Sequence, residues 1–213
     1  MKKAKAIIWD WNGTLLDDVH ICIDGINSLL NDRQLPVLHT KRYKDIFTFP
    51  VKDYYEKAGF DFDAEPFDIP AMQFIDYYRE HINNAQLFPE VLEVLDYFKR
   101  EGFQQSILSA MENNFLHQSI KDKKIYGYFD HITGINNHFA ESKTLKARKL
   151  FELMKTDLEQ TIIVGDTIHD YEVAKEIGCR VILVTHGHQS ESRLSQLDCE
   201  IVNNLKELTS LLE

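Results

Sequence analysis

The sequence predicts an α/β protein with a doubly wound, parallel (Rossmann-like) sheet and an inserted α-helical cap domain. After residue 87, short apolar runs alternate with amphipathic helical patterns, which is typical of a parallel sheet. Residues 16–87 instead show helical periodicity, many aromatic residues and no clear strand. We therefore expect the core domain in residues 1–15 and 88–213, and the helical cap domain in residues 16–87.

The predicted elements follow in chain order. A first strand, Ile7-Ile8-Trp9, carries Asp10 into a turn at Asn12-Gly13-Thr14. In the helical stretch, apolar side chains recur at helical spacing in two groups, which predict two amphipathic helices. The first group is Ile21, Ile26, Leu29 and Leu30, and the second is Phe74, Ile75, Tyr77, Tyr78 and Ile82.

Beyond the insert, a helix is predicted from Pro89 until Gly102 stops it. The elements expected after it are a strand at 105–109, a helix at about 143–154, a strand at 161–164, a helix ending at Gly178 and a strand at 181–184. In such sheets ligands bind beyond the carboxyl ends of the strands. Asp10, Ser109 and Asp166 each follow a strand, so we expect them to converge on one crevice.

Composition limits the classes of function. The chain has 213 residues, 44% of them hydrophobic, and no apolar run as long as the roughly 18–20 residues that a membrane span needs. A net charge of −10 without a basic run argues against nucleic acid as a partner. The three cysteines are far apart and form no Cys-x-x-Cys motif, which argues against a disulfide framework or zinc knuckle. We expect a soluble, cytoplasmic protein without a secretory signal.

Several residues are suited to phosphoryl chemistry. Asp10 is a candidate nucleophile that would form an aspartyl-phosphate, Thr14 and Ser109 are candidate hydroxyl donors, and Lys143 is a candidate cation for the phosphoryl group. The motif Gly165-Asp166-Thr167-Ile168-His169-Asp170 places two carboxylates four residues apart after a strand. Such oxygen ligands suit Mg²⁺, with Asp10 and Asp166 as direct ligands and Asp170 binding directly or through water.

The order Asp-x-Asn-Gly-Thr, Ser109, Lys143 and Gly-Asp-x-x-x-Asp resembles the haloacid dehalogenase (HAD) superfamily, in its phosphoglycolate-phosphatase-like branch with a helical cap. The resemblance covers essentially the whole chain. It implies a magnesium-dependent phosphatase acting on a small phosphorylated metabolite, with Asp10 as nucleophile and metal ligand. It also implies a metal ligand in the backbone carbonyl of Asn12, and substrate contacts from Thr14, Ser109, Ala110 and Lys143.

Asn12 departs from the family pattern, in which an aspartate at this position protonates the leaving group and later activates water. A neutral amide does neither, and such help is worth about 10² to 10⁴ in rate. The sequence offers His20 as a replacement. It also leaves open a phosphate- or metabolite-binding module without turnover, a phosphoryl-transfer enzyme, or a phosphonatase. The phosphonatase needs a Schiff-base lysine in the cap, for which the candidates are Lys41, Lys44, Lys52 and Lys57.

The remaining candidate site residues also have ordinary structural interpretations, as loop, surface or core residues. Lys146 competes with Lys143 across one helical turn, and the histidines of His186-Gly187-His188 are interpreted as a loop rather than a metal pair. His169 is expected to face solvent, and Arg42 and Lys52 to be surface charges. The cap aromatics Phe47, Phe49, Tyr54 and Tyr55 are expected mostly in the core, although Phe47-Thr48-Phe49-Pro50 is the best candidate for a loop that closes over substrate.

Overall fold

The computed structural model describes residues 3–135, 143–154 and 156–212. Within these residues six strands form one parallel sheet in the spatial order β5-β4-β1-β6-β7-β8. These strands are β1 Ala6–Trp9, β4 Gln104–Glu112, β5 His131–Ile135, β6 Thr161–Gly165, β7 Arg180–Val184 and β8 Glu200–Val202. The predicted fold class is confirmed.

Helices cover both faces of this sheet. They are α5 Val91–Arg100, α6 Asn113–Asp122, α7 Lys143–Leu153, α8 Ile168–Ile177, α9 Glu191–Leu194 and α10 Glu207–Leu211. Successive β1 side chains alternate between two hydrophobic clusters, because Ile7 and Trp9 pack with residues of α5, α6 and α10, whereas Ala6 and Ile8 pack with residues of α7, α8 and α9. The sheet is therefore doubly wound, and β1 lies near its middle.

Four helices occupy the stretch between β1 and α5. They are α1 Val19–Asp32, α2 Thr40–Ile46, α3 Val51–Ala58 and α4 Asp68–His81. Buried side chains of α1, α2 and α3 form a third hydrophobic cluster, against which Phe74 and Tyr78 of α4 pack. Two short strands, β2 Leu16–Asp17 and β3 Gln86–Leu87, pair antiparallel where the chain enters and leaves this stretch. Their two-residue length gives no periodicity, so the sequence did not predict them.

Strand β4 is longer than predicted. It pairs regularly with β5 through Leu108, and the register then shifts before Glu112. Ser109 and Ala110 lie in this irregular part, which extends past the end of β1 at Trp9. Because β4 continues beyond the last residue of β1, both residues lie at the carboxyl edge of the sheet. None of the helices in the described part of the chain is long and apolar enough to cross a membrane.

Candidate active site

Asp10, Lys143 and Asp170 form a buried charged cluster at the carboxyl edge of the sheet. Asp10 follows β1, and Lys143 at the start of α7 forms ion pairs with Asp10 and, at 2.5 Å, with Asp170 Oδ1. Asp170 Oδ2 accepts hydrogen bonds from the backbone N–H and hydroxyl of Thr167, at 3.1 and 2.7 Å, within the capping box that begins α8. This box fixes the Asp170 carboxylate towards Lys143.

Asp166 is held from several directions. Its Oδ1 accepts from the Thr14 hydroxyl at 3.1 Å and its Oδ2 accepts from the His188 backbone N–H at 2.6 Å. Gly13 and Gly187 pass so close that a Cβ on Gly13 would lie 2.5 Å from Asp166 Oδ2 and one on Gly187 would overlap the same carboxylate. Gly13 also has φ +72°, a conformation that favours glycine. Both turns therefore depend on glycine to enclose Asp166.

The carboxylates of this cluster outnumber the cations around them. One oxygen from each of Asp10, Asp166 and Asp170 lies within 4.8 Å of the others, and all three residues are buried. Among the residues that the structure describes, Lys143 is the one cation that forms ion pairs with members of this cluster, namely Asp10 and Asp170. Burial raises the pKa of Asp10 to about 8, against the lowering effect of Lys143, and burial raises the pKa of Asp166 to about 6. A divalent cation among these oxygens would balance the charge, so the residues fit Mg²⁺.

Asn12 is held by a separate network. Its Nδ2 donates to Asp18 Oδ2 at 2.8 Å and to the Tyr78 hydroxyl at 2.6 Å, and that hydroxyl donates to the same Asp18 oxygen at 2.7 Å. Asn12 Oδ1 accepts from the Ser109 hydroxyl at 3.4 Å. Both amide hydrogens are therefore engaged, and the amide is oriented by the Asp18 carboxylate.

Asp18 and His188 form a buried ion pair beside this network. His188 Nε2 lies 3.2 Å from Asp18 Oδ1, and His188 Nδ1 lies 2.9 Å from the Tyr43 hydroxyl. Burial alone would lower the pKa of His188, but the Asp18 carboxylate outweighs it and raises that pKa to about 9. Burial opposes ionisation of Asp18, yet His188 and the hydrogen bonds from Tyr78 and Asn12 keep its pKa below the usual range.

A cavity of about 220 Å³ opens beside Asp10 and Asn12. Ser109, Ala110 and Lys143 line it together with the carboxylates of Asp10 and Asp166, and aromatic side chains line much of the remainder. These aromatic residues are Tyr43, Phe47, Phe49, Tyr54, Tyr55, Phe74, Tyr78 and Phe115. The Phe47–Pro50 segment, expected to approach a substrate, thus contributes two rings to the cavity, and Tyr54 and Tyr55 are buried as expected while also lining it.

The structure brings most of the predicted site residues together. Asp10, Asn12, Ser109, Ala110, Lys143 and Asp166 line the cavity, and Asp170 lies behind them in contact with Lys143. Thr14 is the exception among the substrate-contact candidates, because it is fully buried, is absent from the cavity lining and donates its hydroxyl to Asp166. Its observed contact positions a carboxylate rather than a substrate.

Other candidates lie elsewhere. His20 is exposed on α1 and does not line the cavity, so the structure gives it no access to the reacting groups. None of the Schiff-base candidates Lys41, Lys44, Lys52 and Lys57 lines the cavity either. Lys44 is half-buried and donates to the His186 carbonyl at 2.9 Å. Arg42 and Lys52 are exposed as expected. His186 does not join His188 in a metal pair, because its ring packs on Phe88 with centroids 3.8 Å apart.

His169 differs from its expectation. Its ring is half-buried, lines the cavity and lies against Phe49 with centroids 5.0 Å apart. The sequence does not identify Asp18, Tyr43 or Tyr78 as site residues, and it predicts only a loop at His188. The one available signal for His188 was its place after a predicted strand, since loops at that edge of the sheet surround the ligand.

Known proteins that are similar in sequence or structure agree with the resemblance that the motifs indicated. A family model described as haloacid dehalogenase-like hydrolase matches residues 7–184. A phosphoglycolate phosphatase from Aquifex aeolicus is 24% identical to this chain, and the match covers 86% of each protein. A phosphoglycolate phosphatase from Neisseria meningitidis is also 24% identical, and that match covers 100% of this chain and 95% of the relative. A haloacid dehalogenase-like family hydrolase from Streptococcus pneumoniae, 22% identical, has the same fold with a TM-score of 0.86 over 100% of both chains.

The matched range contains every predicted site residue, from Asp10 to Asp170. It confirms the resemblance that the motifs indicated, and it supports the prediction that the chain is an enzyme of the phosphatase type. Members of this family generally use a divalent metal, and the cluster of Asp10, Asp166 and Asp170 offers oxygen ligands of that kind. The chain belongs to the haloacid dehalogenase-like hydrolase family.

Proposed function

We propose that this protein is a magnesium-dependent phosphatase that hydrolyses a small phosphomonoester through an aspartyl-phosphate on Asp10. The observation that carries the proposal is the position of the Asp10 carboxylate, which is buried, paired with Lys143 and adjacent to the cavity that Ser109 and Ala110 line. A nucleophile, a phosphoryl-binding cation and a hydroxyl donor thus lie on one side of an enclosed space. The phosphoglycolate phosphatases among the relatives suggest phosphomonoesters as the substrate class.

The metal would be held by Asp10, Asp166 and the backbone carbonyl of Asn12, with Asp170 binding directly or through water. Hard oxygen ligands and excess negative charge are the environment that Mg²⁺ prefers. When bound, the ion supplies positive charge to the phosphate oxygens and to the ligands. Because burial raises the pKa of Asp10 to about 8, positive charge beside it, including the Lys143 ammonium, favours the ionised form that attacks.

In the proposed reaction Asp10 attacks phosphorus, so that a bond forms between its carboxylate oxygen and phosphorus while the bond to the leaving oxygen breaks. Lys143 and the Ser109 hydroxyl would bind the phosphoryl oxygens, together with the backbone at Ala110. Water then cleaves the acyl-phosphate. Asn12 cannot transfer a proton in either step, so the leaving oxygen takes its proton from solvent, and turnover is fastest for leaving groups that need none.

We also propose the division into a core domain, residues 1–15 and 88–213, and a helical cap domain, residues 16–87. A separate hydrophobic cluster within the helices and the pairing of β2 with β3 at the two ends of the insert support this division. The segment after α2 is tied to the loop after β7, where Gln189 Nε2 donates to the Phe47 carbonyl at 3.0 Å. This contact supports a role for the cap in covering the cavity.

The test is phosphate release from a panel of phosphomonoesters with Mg²⁺ and with a chelator. We expect turnover only with the metal, and a loss of at least about 10³-fold in Asp10→Asn because the nucleophile is gone. Asp76→Asn, an exposed aspartate on α4, is the matched control and should retain wild-type activity. Wild-type turnover that survives Asp10→Asn would contradict the proposal.

The alternative is a phosphate- or metabolite-binding module, and the engagement of Asn12 by Asp18 and Tyr78 is the observation that favours it. The Asn12→Asp variant discriminates between the two functions. Wild-type protein that is silent with every substrate and gains turnover through Asn12→Asp supports the binding module. Turnover by the wild type supports the enzyme.

A further inference from the structure

We propose that the substrate is a phosphomonoester whose leaving group carries an aromatic ring. This inference rests on the phosphatase function proposed above and names its substrate class. The phosphoryl group is placed by Asp10, Lys143 and Ser109, so the rest of the cavity holds the leaving group. The chemistry of that remaining space therefore identifies what leaves.

Aromatic rings form the walls of this space. Phe47 lies at the centre of the wall, with ring centroids 5.5 Å from Phe49 and 5.3 Å from Tyr54. Phe74 and Phe115 approach from α4 and α6. Spacings of this size are those of edge-to-face and offset-stacked ring pairs, so a further ring in the cavity would meet rings at similar distances.

The rings around the cavity are not all buried by the protein itself. Phe47, Phe49, Phe74 and Phe115 are only half-buried; Phe47 and Phe74 pack on one side against the hydrophobic cluster of α1, α2 and α3, and each of the four rings also lines the cavity. An enclosed apolar surface of this kind is typical of a ligand site. A ligand with an apolar face would cover it, whereas a small hydrated acid would leave the rings in contact with water.

The charged groups of the described cavity lining offer no buried partner for a substrate carboxylate. Lys143 is paired with Asp10 and Asp170, and His188 Nε2 lies 3.2 Å from Asp18 Oδ1, so both groups are already engaged within the protein. His169 lies against Phe49, with ring centroids 5.0 Å apart, so its ring adds an aromatic face to the cavity.

Two further charged residues, Arg79 and Glu112, line the cavity, and neither is a buried cation. Arg79 is exposed, so a carboxylate beside it would stay hydrated. Glu112 is an anion, and its carboxylate accepts from backbone N–H groups of α6. A two-carbon acid such as glycolate therefore fits this part of the cavity poorly, whereas an apolar ring fits it well.

Binding of phosphonates tests the inference without any turnover. Benzylphosphonate and phosphonoacetate both carry a CH₂ group on phosphorus and differ in having a phenyl ring or a carboxylate. With Mg²⁺ present, isothermal titration calorimetry should give a dissociation constant at least about tenfold lower for benzylphosphonate, the gain from about 50 to 60 Å² of apolar contact. Equal affinities, or tighter binding of phosphonoacetate, would overturn the inference.

Variants of the aromatic residues test whether these rings cause the tighter binding of benzylphosphonate. Phe74→Ala and Phe49→Ala should each weaken benzylphosphonate by about tenfold and change phosphonoacetate by less than about twofold. Phe62→Ala is the matched control, because Phe62 is half-buried in the same helical stretch but does not line the cavity. If Phe74→Ala fails to fold, Phe49→Ala decides the question. A loss shared equally by both phosphonates would contradict the inference.

Turnover separates this inference from the proposed function. Benzyl phosphate and phosphoglycolate both release primary alkoxides, so a difference between them reports recognition rather than leaving-group reactivity. We expect kcat/KM to be at least about tenfold higher for benzyl phosphate. A preference for phosphoglycolate would overturn the substrate class and leave the phosphatase intact. No turnover of any phosphomonoester would remove the phosphatase, while the calorimetry would still decide whether the cavity selects rings.

Discussion

The Asn12→Asp substitution puts a carboxylate where an amide now donates two hydrogen bonds. Asn12 Nδ2 lies 2.8 Å from Asp18 Oδ2, so the new carboxylate would lie against a like charge. Two unit charges 2.8 Å apart repel by about 6 kcal/mol at an effective dielectric constant of about 20. The pair relieves most of this repulsion by holding one proton between the two carboxyl groups. We expect a net loss of about 2 kcal/mol in the free energy of unfolding, or about 4 to 8 °C in Tm.

The same proton gives the variant a group that the wild type lacks. A carboxylic acid at residue 12 can protonate the leaving oxygen, which is worth about 10² to 10⁴ in rate where the chemistry needs it. We therefore expect phosphate release from an alkyl phosphate such as benzyl phosphate to rise at least about tenfold. Release from 4-nitrophenyl phosphate should change by less than about threefold, because its leaving group is stable without a proton. Equal gains with both substrates would refute the acid–base explanation.

A double-mutant cycle tests the repulsion between residues 12 and 18. In a double-mutant cycle, Asn12→Asp with Asp18→Asn removes the like-charge pair, so the double variant should lose at least about 1 kcal/mol less than the two single variants added together. The measurement is urea unfolding monitored by circular dichroism. Additive losses would show that repulsion between residues 12 and 18 does not explain the cost of the single substitution.

Three further predictions concern the Asp166 enclosure, the Lys143 ion pairs and the hydrophobic core. Gly187→Ala should weaken Mg²⁺ binding by about tenfold, because the new methyl group overlaps the Asp166 carboxylate; the magnesium dependence of Tm measures this. The control is Gly127→Ala, where a Cβ has nothing within 4 Å, and this variant should bind Mg²⁺ as the wild type does. Lys143→Met should lower phosphatase activity by at least about 10²-fold, because Asp10 and Asp170 lose the cation that they share. The control Lys149→Met replaces an exposed lysine of the same helix and should keep wild-type activity. Phe98→Ala should lower the free energy of unfolding by about 3 to 5 kcal/mol in urea, since Phe98 is 0% exposed, whereas Leu92→Ala at 51% exposure should cost under about 0.5 kcal/mol.

The sequence predicted the central part of the site because a parallel sheet places its strand ends together. Asp10 follows β1, Ser109 lies late in β4 and Asp166 follows β6, and these three strands are neighbours in the sheet. Their convergence therefore follows from strand order alone, whatever the side chains around them. The capping box of α8 likewise follows from local sequence, since Thr167 and Asp170 have the spacing that such a box requires.

The network around Asn12 could not be predicted in this way. Asp18 and His188 are separated by 170 residues, and Tyr78 is separated from Asp18 by 60. Tyr78 was assigned to an amphipathic helix by its spacing, which fixes the face of α4 that it occupies but not the residue that its hydroxyl reaches. Only the packing of α4 against α1, and the contact of the loop after β7 with Asp18, brings these groups together. Periodicity and turn signals carry no information about such contacts.

Asn12 and the aromatic cavity bear on the same feature of the substrate, the leaving group. Without an acid at residue 12, the enzyme depends on the stability of the departing oxyanion, and a phenol with a pKa of about 10 leaves far more readily than an alcohol, whose pKa is closer to that of water at about 15.7. The aromatic cavity selects rings for a separate reason, which is contact with Phe47, Phe49 and Phe74. An aryl phosphate satisfies both conditions, since its ring fills the cavity and its phenolate needs no proton. The neutral amide at residue 12 then costs the reaction least with the substrates that the cavity binds best, so the departure from the family pattern and the shape of the site are consistent with one chemistry.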